Sequence, residues 1–321
     1  MADGQVLTID STQTGGSGTI DGEDKFTWEY ALGAADTARV FNVGQQAGMY
    51  ASVADAVTAI NALAVPPSAT NRCVIKVWPG KYTSTASVTI PSWCGVQGVS
   101  KGLTQFQNDT TSIFTCSDHV WFEDFLVEGS ATAALFAIEG NNASHVHIRR
   151  VDMLNNGGTA KQKFFHNSGT TWITLFIEDC IIDYRGLGEA TGLTDYAIIL
   201  ENTGTAARFI DTEIQNLFSD SFALTNFGGS IHLFNVQDIR IRNSQIRGVA
   251  TFTTGVRHIR PAGKTGTPLL EVHNSFLGGA AGTAGGVPIY GGANTNTILT
   301  NTDAVGALFD GTKTLRNSSI V

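Results

Sequence analysis

Among the carboxylates between positions 183 and 213 are Asp183, Asp195, Glu201, Asp211 and Glu213. Two carboxyl groups about 5–9 Å apart on a groove can cleave a glycosidic bond, one as acid and the other as base or nucleophile. Such pairs come from different turns of a fold and leave no local motif. Asp183, Asp195, Asp211 and Glu213 are therefore candidate catalytic groups by residue type, and the same residues serve as well as solvated turn carboxylates. His145 and His147, two apart, would share one face of a strand and could ligate a metal. Arg149 shares that face and no third ligand is in view, so no metal is expected. Arg240, Arg242 and Arg247 flank Asn243 and form a basic strip suited to an acidic partner. Cys73, Cys94, Cys116 and Cys180 form no CxxC pair; zinc is not expected, and buried free thiols are. No cofactor is expected.

What must position these groups is a repeat. From residue 120 onward an apolar–x–apolar–x–polar–x–x–apolar pattern recurs, as in Val120-Phe122-Asp124-Val127, Leu175-Ile177-Asp179-Ile182 and Ile239-Ile241-Asn243-Ile246. Its fifth position falls at 124, 150, 179, 211, 243, 274, 301 and 317, with the first six intervals between 26 and 32 residues. A second strand signal lies between copies, at Leu135 to Ile138, Phe164-Phe165, Ala197 to Leu200, Phe222 to Leu224, Val256 to Ile259 and Val287 to Tyr290. One such unit cannot bury its own apolar face; stacked units bury a continuous core and pair every backbone group with the next coil. The pattern predicts an all-β, single-stranded parallel β-helix. Residues at equal places in successive coils stand about 4.8 Å apart, so Asn243, Asn274 and Asn301 are expected to form a hydrogen-bonded amide ladder. Asp124, Asp179 and Asp211 would repel as a stack and are expected to turn outward or to accept backbone N–H groups. The uneven coil length puts the extra residues into loops, such as 184–195 and 261–268.

Composition agrees. The chain has 321 residues, 36 of them glycine, 15 % charged residues and a net charge of −8. A nucleic-acid partner would need a basic stripe against that balance, and none is expected. No apolar run is long enough for a membrane helix, and residues 1–4 resemble no signal peptide. Residues 52–64 have apolar positions at Val53, Ala56, Val57, Ile60 and Leu63, with Ser52 as N-cap, and predict an amphipathic helix stopped by Pro66-Pro67. Residues 1–40 do not fit the coil pattern. They hold seven acids and one aromatic stretch, Phe26, Trp28 and Tyr30. This divides the chain into an arm, 1–40, and a β-helix, 41–321. The arm reads either as a docking segment or as a strand that extends the stack.

After that helix come an apolar strand at Cys73 to Trp78, then Pro79-Gly80-x-Tyr82, Val88-Thr89-Ile90-Pro91 and Gly95-Val96-Gln97-Gly98. This order resembles the opening of the pectin-lyase-like right-handed β-helices, including tailspikes, fibres and decoration proteins of tailed phages. The resemblance covers about residues 40–321. It implies the fold, with the helix covering the open sheet end. The enzyme signatures of the family are incomplete. Pectin esterases carry Glu where Ser84 stands. Val120-Trp121-Phe122-Glu123-Asp124 is similar to the pectate lyase Trp-Ile-Asp-His strand, but Phe125 stands at the His. Asn301-Thr302-Asp303 matches a polygalacturonase opening by letters, with none of its later segments following. The expected function is a non-enzymatic phage virion structural protein: a capsid decoration or short tail fibre, made without a signal peptide and located in the virion. It would be a rigid homotrimer that meets other virion proteins through the arm, with no nucleic-acid binding and no membrane insertion. The alternative is a tailspike-type depolymerase, hydrolase or lyase, bound to host surface polysaccharide. Trp121, Trp172 and Tyr184 could serve either as sugar platforms or as core.

Overall fold

The computed structural model describes residues 39–321 except 109, 130–135, 141–142, 156–162, 168–173, 187–195, 201–205, 211–212, 219–228, 235–237, 250–256, 263–268, 280–286, 290–295, 305–311 and 321. All paired strands among them are parallel, in a 19-stranded and an 8-stranded sheet. Most described coils contribute one strand to the short sheet, then pair in the long sheet on either side of a corner. The chain is a parallel β-helix.

The polar marker of the repeat is that corner. Asp124, Arg150, Asp179, Asn243, Asn274, Asn301 and Asn317 all have positive φ, between 47° and 60°. One residue in the left-handed region turns the strand sharply while both flanks keep their pairing. Asn and Asp tolerate that conformation better than other residues with a Cβ, which explains their choice. Strands Val120–Gly129 and His145–Asn155 run through the bend. Higher up, the bend divides Asp238–Arg242 from Gln245–Val249 and Leu269–His273 from Phe276–Gly279.

Inward side chains stack in register, coil upon coil. One row reads Ile75, Val96, Phe122, Ile148 and Ile177, and continues through positions 209, 241, 272 and 299. Its described members from Ile75 to Leu299 are fully buried. Facing it, the short sheet stacks Phe114, Ile138, Phe165 and Ile198. Between the sheets Phe106, Phe114, Phe122 and Phe125 pack edge to face or tilted, with ring centroids 5.0–6.3 Å apart. Each such side chain stabilises the fold by about 1.5–3 kcal/mol relative to exposure. The four cysteines are free and buried, and burial pushes the Cys180 thiol up to about 12.

At the low-numbered end the helix Val53–Asn61 buries Val53, Ala56, Val57 and Ile60 against strands Arg39–Val43, Cys73–Val77 and Val88–Ile90. Ser52 Oγ accepts the N–H of Asp55 at 3.1 Å, which fixes its first turn. The helix stops at Asn61, ahead of the two prolines. Strand Arg39–Val43 pairs with Cys73–Val77 and crosses the boundary drawn at residue 40. The short-sheet strand expected at Phe222 to Leu224 lies outside the described residues; that coil contributes Gly229–Phe234.

Candidate functional site

The outer faces of the two sheets carry different chemistry. On the long sheet many described charges are tied to one in a neighbouring coil. Arg150 grips Asp124 with two hydrogen bonds, Nε to Oδ1 at 2.5 Å and Nη2 to Oδ2 at 2.8 Å. Those bonds raise the Arg150 guanidinium above its ordinary value. Gln97 donates to Glu123 at 3.3 Å, and Glu123 lies 3.8 Å from Arg150. Glu178 faces His147 at 3.5 Å and Arg149 at 3.7 Å. The hydrogen bond from His147, with Arg149 beside it, holds the Glu178 carboxyl below the usual range. Arg240 meets Glu271 at 2.8 Å. Each of these carboxylates already has an arginine as partner, which leaves it little free to serve an incoming ligand.

Trp121 belongs to this face but is only 7 % exposed. Its indole lies flat on Gly95 one coil below, so closely that a Cβ there would collide with the ring. Gly95 is thus required, and Trp121 is packing rather than a sugar platform. At the corner below, loop 99–103 leans up the stack, and Lys101 Nζ reaches Asp152 Oδ1 at 3.2 Å and the carbonyl of Asp179 at 3.3 Å.

The outer face of the short sheet differs. Thr89, Thr115, Glu139 and His166 occupy one outward row in successive coils, and the register continues through positions 199, 232 and 260, that is Ile199, His232 and Arg260. The hydroxyls of Thr89 and Thr115 share a hydrogen bond of 2.8 Å. Glu139 Oε2 accepts from Ser112 Oγ at 3.3 Å, and Glu139 Oε1 stands 3.7 Å from His166 Nδ1. No described lysine or arginine pairs with Glu139. A half-buried carboxylate beside an imidazole, with hydroxyls in line, can move a proton and hydrogen-bond a polar ligand laid along the row. Sequence reasoning missed this pair. Its signal was present: Phe136-Ala137-Ile138-Glu139 and Lys163-Phe164-Phe165-His166 are apolar strands that each turn polar near their end.

The residues singled out from sequence fall as follows. Strand Ile181–Gly186 carries Asp183, and Glu213 opens Glu213–Phe218. Ile181 pairs with Glu213 and Asp183 with Gln215, so Asp183 and Glu213 are diagonal neighbours in adjoining coils, their Cα atoms about 8 Å apart. Asp195, Glu201 and Asp211 lie outside the described residues, as do Trp172 and the arm residues Phe26, Trp28 and Tyr30. Tyr184 and Arg247 hold strand positions opposite Asn216 and Gln215. Asn274 Nδ2 donates to Asn243 Oδ1 at 3.4 Å, and Asn301 Nδ2 donates to Asn274 Oδ1 at 3.1 Å. His145 and His147 both point outward but to different neighbours. His145 stacks on His119 with centroids 4.4 Å apart, and His119 stacks on Trp93 at 3.8 Å. Among the described residues no cluster of three metal-ligating side chains occurs, and no helix is long and apolar enough to cross a membrane.

Pectin methylesterase PemA from Erwinia chrysanthemi superposes with a TM-score of 0.51 over 88 % of this chain and 89 % of its own, at 12 % identity. The fold is that of the pectin-lyase-like β-helices. A pectin methylesterase in complex with a hexasaccharide gives a TM-score of 0.46 over the same shares, also at 12 % identity. No family model matches the chain. No curated protein sequence matches it.

Proposed function

We propose that this β-helix is a polysaccharide depolymerase that lays an extended glycan along the outer row of the short sheet, with Glu139 and His166 as its acid–base pair. The observation that carries the reading is the 3.7 Å approach of Glu139 to His166 on a face where no described cation neutralises the carboxylate. Elsewhere the described outward carboxylates are mostly paired with arginine or lysine. A straight row of hydroxyl, carboxylate and imidazole groups at about 4.8 Å intervals suits a ligand that is itself a linear polar polymer. One carboxylate beside one imidazole suits β-elimination, which needs a base and a proton donor, better than hydrolysis by two carboxylates. The fold shared with a pectin methylesterase supports a carbohydrate ligand.

The test is to incubate the protein with capsular, lipopolysaccharide and uronate-containing glycans and to follow product size, reducing ends and the absorbance of unsaturated sugars. Glu139→Gln is expected to lower product release by about 10²–10⁴-fold with the fold intact. Release unaffected by this substitution, or no release from any glycan, would sink the proposal.

A second reading is favoured by the tying of the long sheet's charges between coils, which stiffens a rod. In this reading the protein is a homotrimeric attachment or decoration element of a virion and cleaves nothing. Electron micrographs that locate it on a capsid or tail, together with intact glycans, would select it.

A further inference from the structure

The long sheet does not keep its charge balance over its whole length. In the lower coils Lys81, Lys101, Arg149 and Arg150 each meet an acid. In the upper coils one outward row reads Arg242, His273, Thr300 and Arg316 in successive register positions, with no acid in the run. In the adjoining row Glu271 is already engaged by Arg240. Among the described residues neither Arg242 nor Arg316 has an ion pair. They stand three coils apart, about 14 Å, with Arg316 exposed and Arg242 partly so. Between them burial holds the His273 imidazole below its ordinary value; Glu271 opposes this, and Arg242, Arg240 and Arg316 add to it. The hydroxyl of Thr300, between His273 and Arg316, is buried without a hydrogen-bond partner. This is a linear cationic strip with one unused polar atom in its line.

The chain itself contains the complementary chemistry. Its first 36 residues hold Asp3, Asp10, Asp21, Glu23, Asp24, Glu29 and Asp36 against Lys25 alone, a surplus of six negative charges out of the net −8. We propose that the strip formed by Arg242, His273, Thr300 and Arg316 docks the acidic segment 1–36 of a second copy of this chain. Opposite charges on two partners set register and speed of association, and both effects weaken with salt. The proposal is independent of the glycan site, which lies on the other sheet.

Sedimentation of the full-length protein at low and at high salt tests it. Self-association at low salt, at least tenfold weaker at high salt, is the expected result. The double variant Arg242→Glu/Arg316→Glu should associate at least tenfold more weakly than the parent at low salt, with unchanged circular dichroism and melting. Mixing it with a chain carrying Asp21→Lys, Glu23→Lys and Asp24→Lys should restore association between the two. A synthetic peptide of residues 1–36 in excess should dissociate the parent assembly, a readout that needs no folded variant. A parent that stays monomeric at low salt, or association indifferent to both the reversal and the peptide, would overturn the proposal. So would a double variant that loses binding to an acidic polysaccharide or a nucleic acid while associating as the parent does.

Discussion

Asn274 does two jobs with one side chain. Its backbone sits at φ 47°, and its amide links Asn243 below to Asn301 above. The two jobs can be separated by substitution. Asn274→Gly loses the amide bonds but accepts the left-handed backbone freely. Asn274→Ala loses the same bonds and adds the steric cost of a Cβ in that region, about 1–2 kcal/mol. The alanine variant should therefore be less stable than the glycine variant by about 1 kcal/mol, seen as a lower urea midpoint; the reverse order would mean that the bend is set by its surroundings. These corner residues were legible in the sequence as polar interruptions of an apolar alternation. Their conformation was not, because the same letters also suit an outward strand position. Arg150 shows the difficulty most plainly. An arginine has no local reason to adopt φ 50°, and only the neighbouring coil supplies one through Asp124.

At the scale of elements, the corner that precedes three successive long-sheet strands carries its own stack, Trp93 on His119 on His145, with Arg72 5.9 Å over the indole. Burial holds both imidazoles below their ordinary values; His145 lowers His119 further, Arg72 adds to this, and Asp118 opposes it for both rings. The folded state thus favours the neutral rings. The stability they confer is complete above the unfolded value of about 6.5 and is lost as pH falls through their lower folded values. The melting temperature should drop as pH is lowered below that point, and His119→Phe should make the drop shallower; an identical pH profile for the variant would contradict this. The helix was readable from its apolar face and Ser52. The Glu139–His166 pair was not, since its members lie 27 positions apart and meet only because two short-sheet strands are in register. The lowest coils lacked the repeat signal for a related reason: in one of them loop 99–103 replaces the single left-handed residue at the corner.

For the whole β-helix, each coil touches mainly the coil above and the coil below, so stability is close to a sum of neighbour terms. Phe122→Ala removes a side chain from the middle of the inner row, at a cost of about 3–5 kcal/mol. Amide exchange should rise in the strands that carry Val96, Phe122 and Ile148 and stay near parent values around Val272 and Leu299; a uniform rise would indicate a single cooperative unit. The sequence made the stack legible because its period survives changes in loop length. That same feature has a consequence for descent. From Asp124 upward each described corner residue restarts the alternation, so the coil is a self-contained unit of inheritance. Duplication or loss of one unit adds or removes a layer while each remaining layer keeps its inward and outward faces. The corner thereby serves as a reading mark, and the length of the rod can vary between lineages in whole layers.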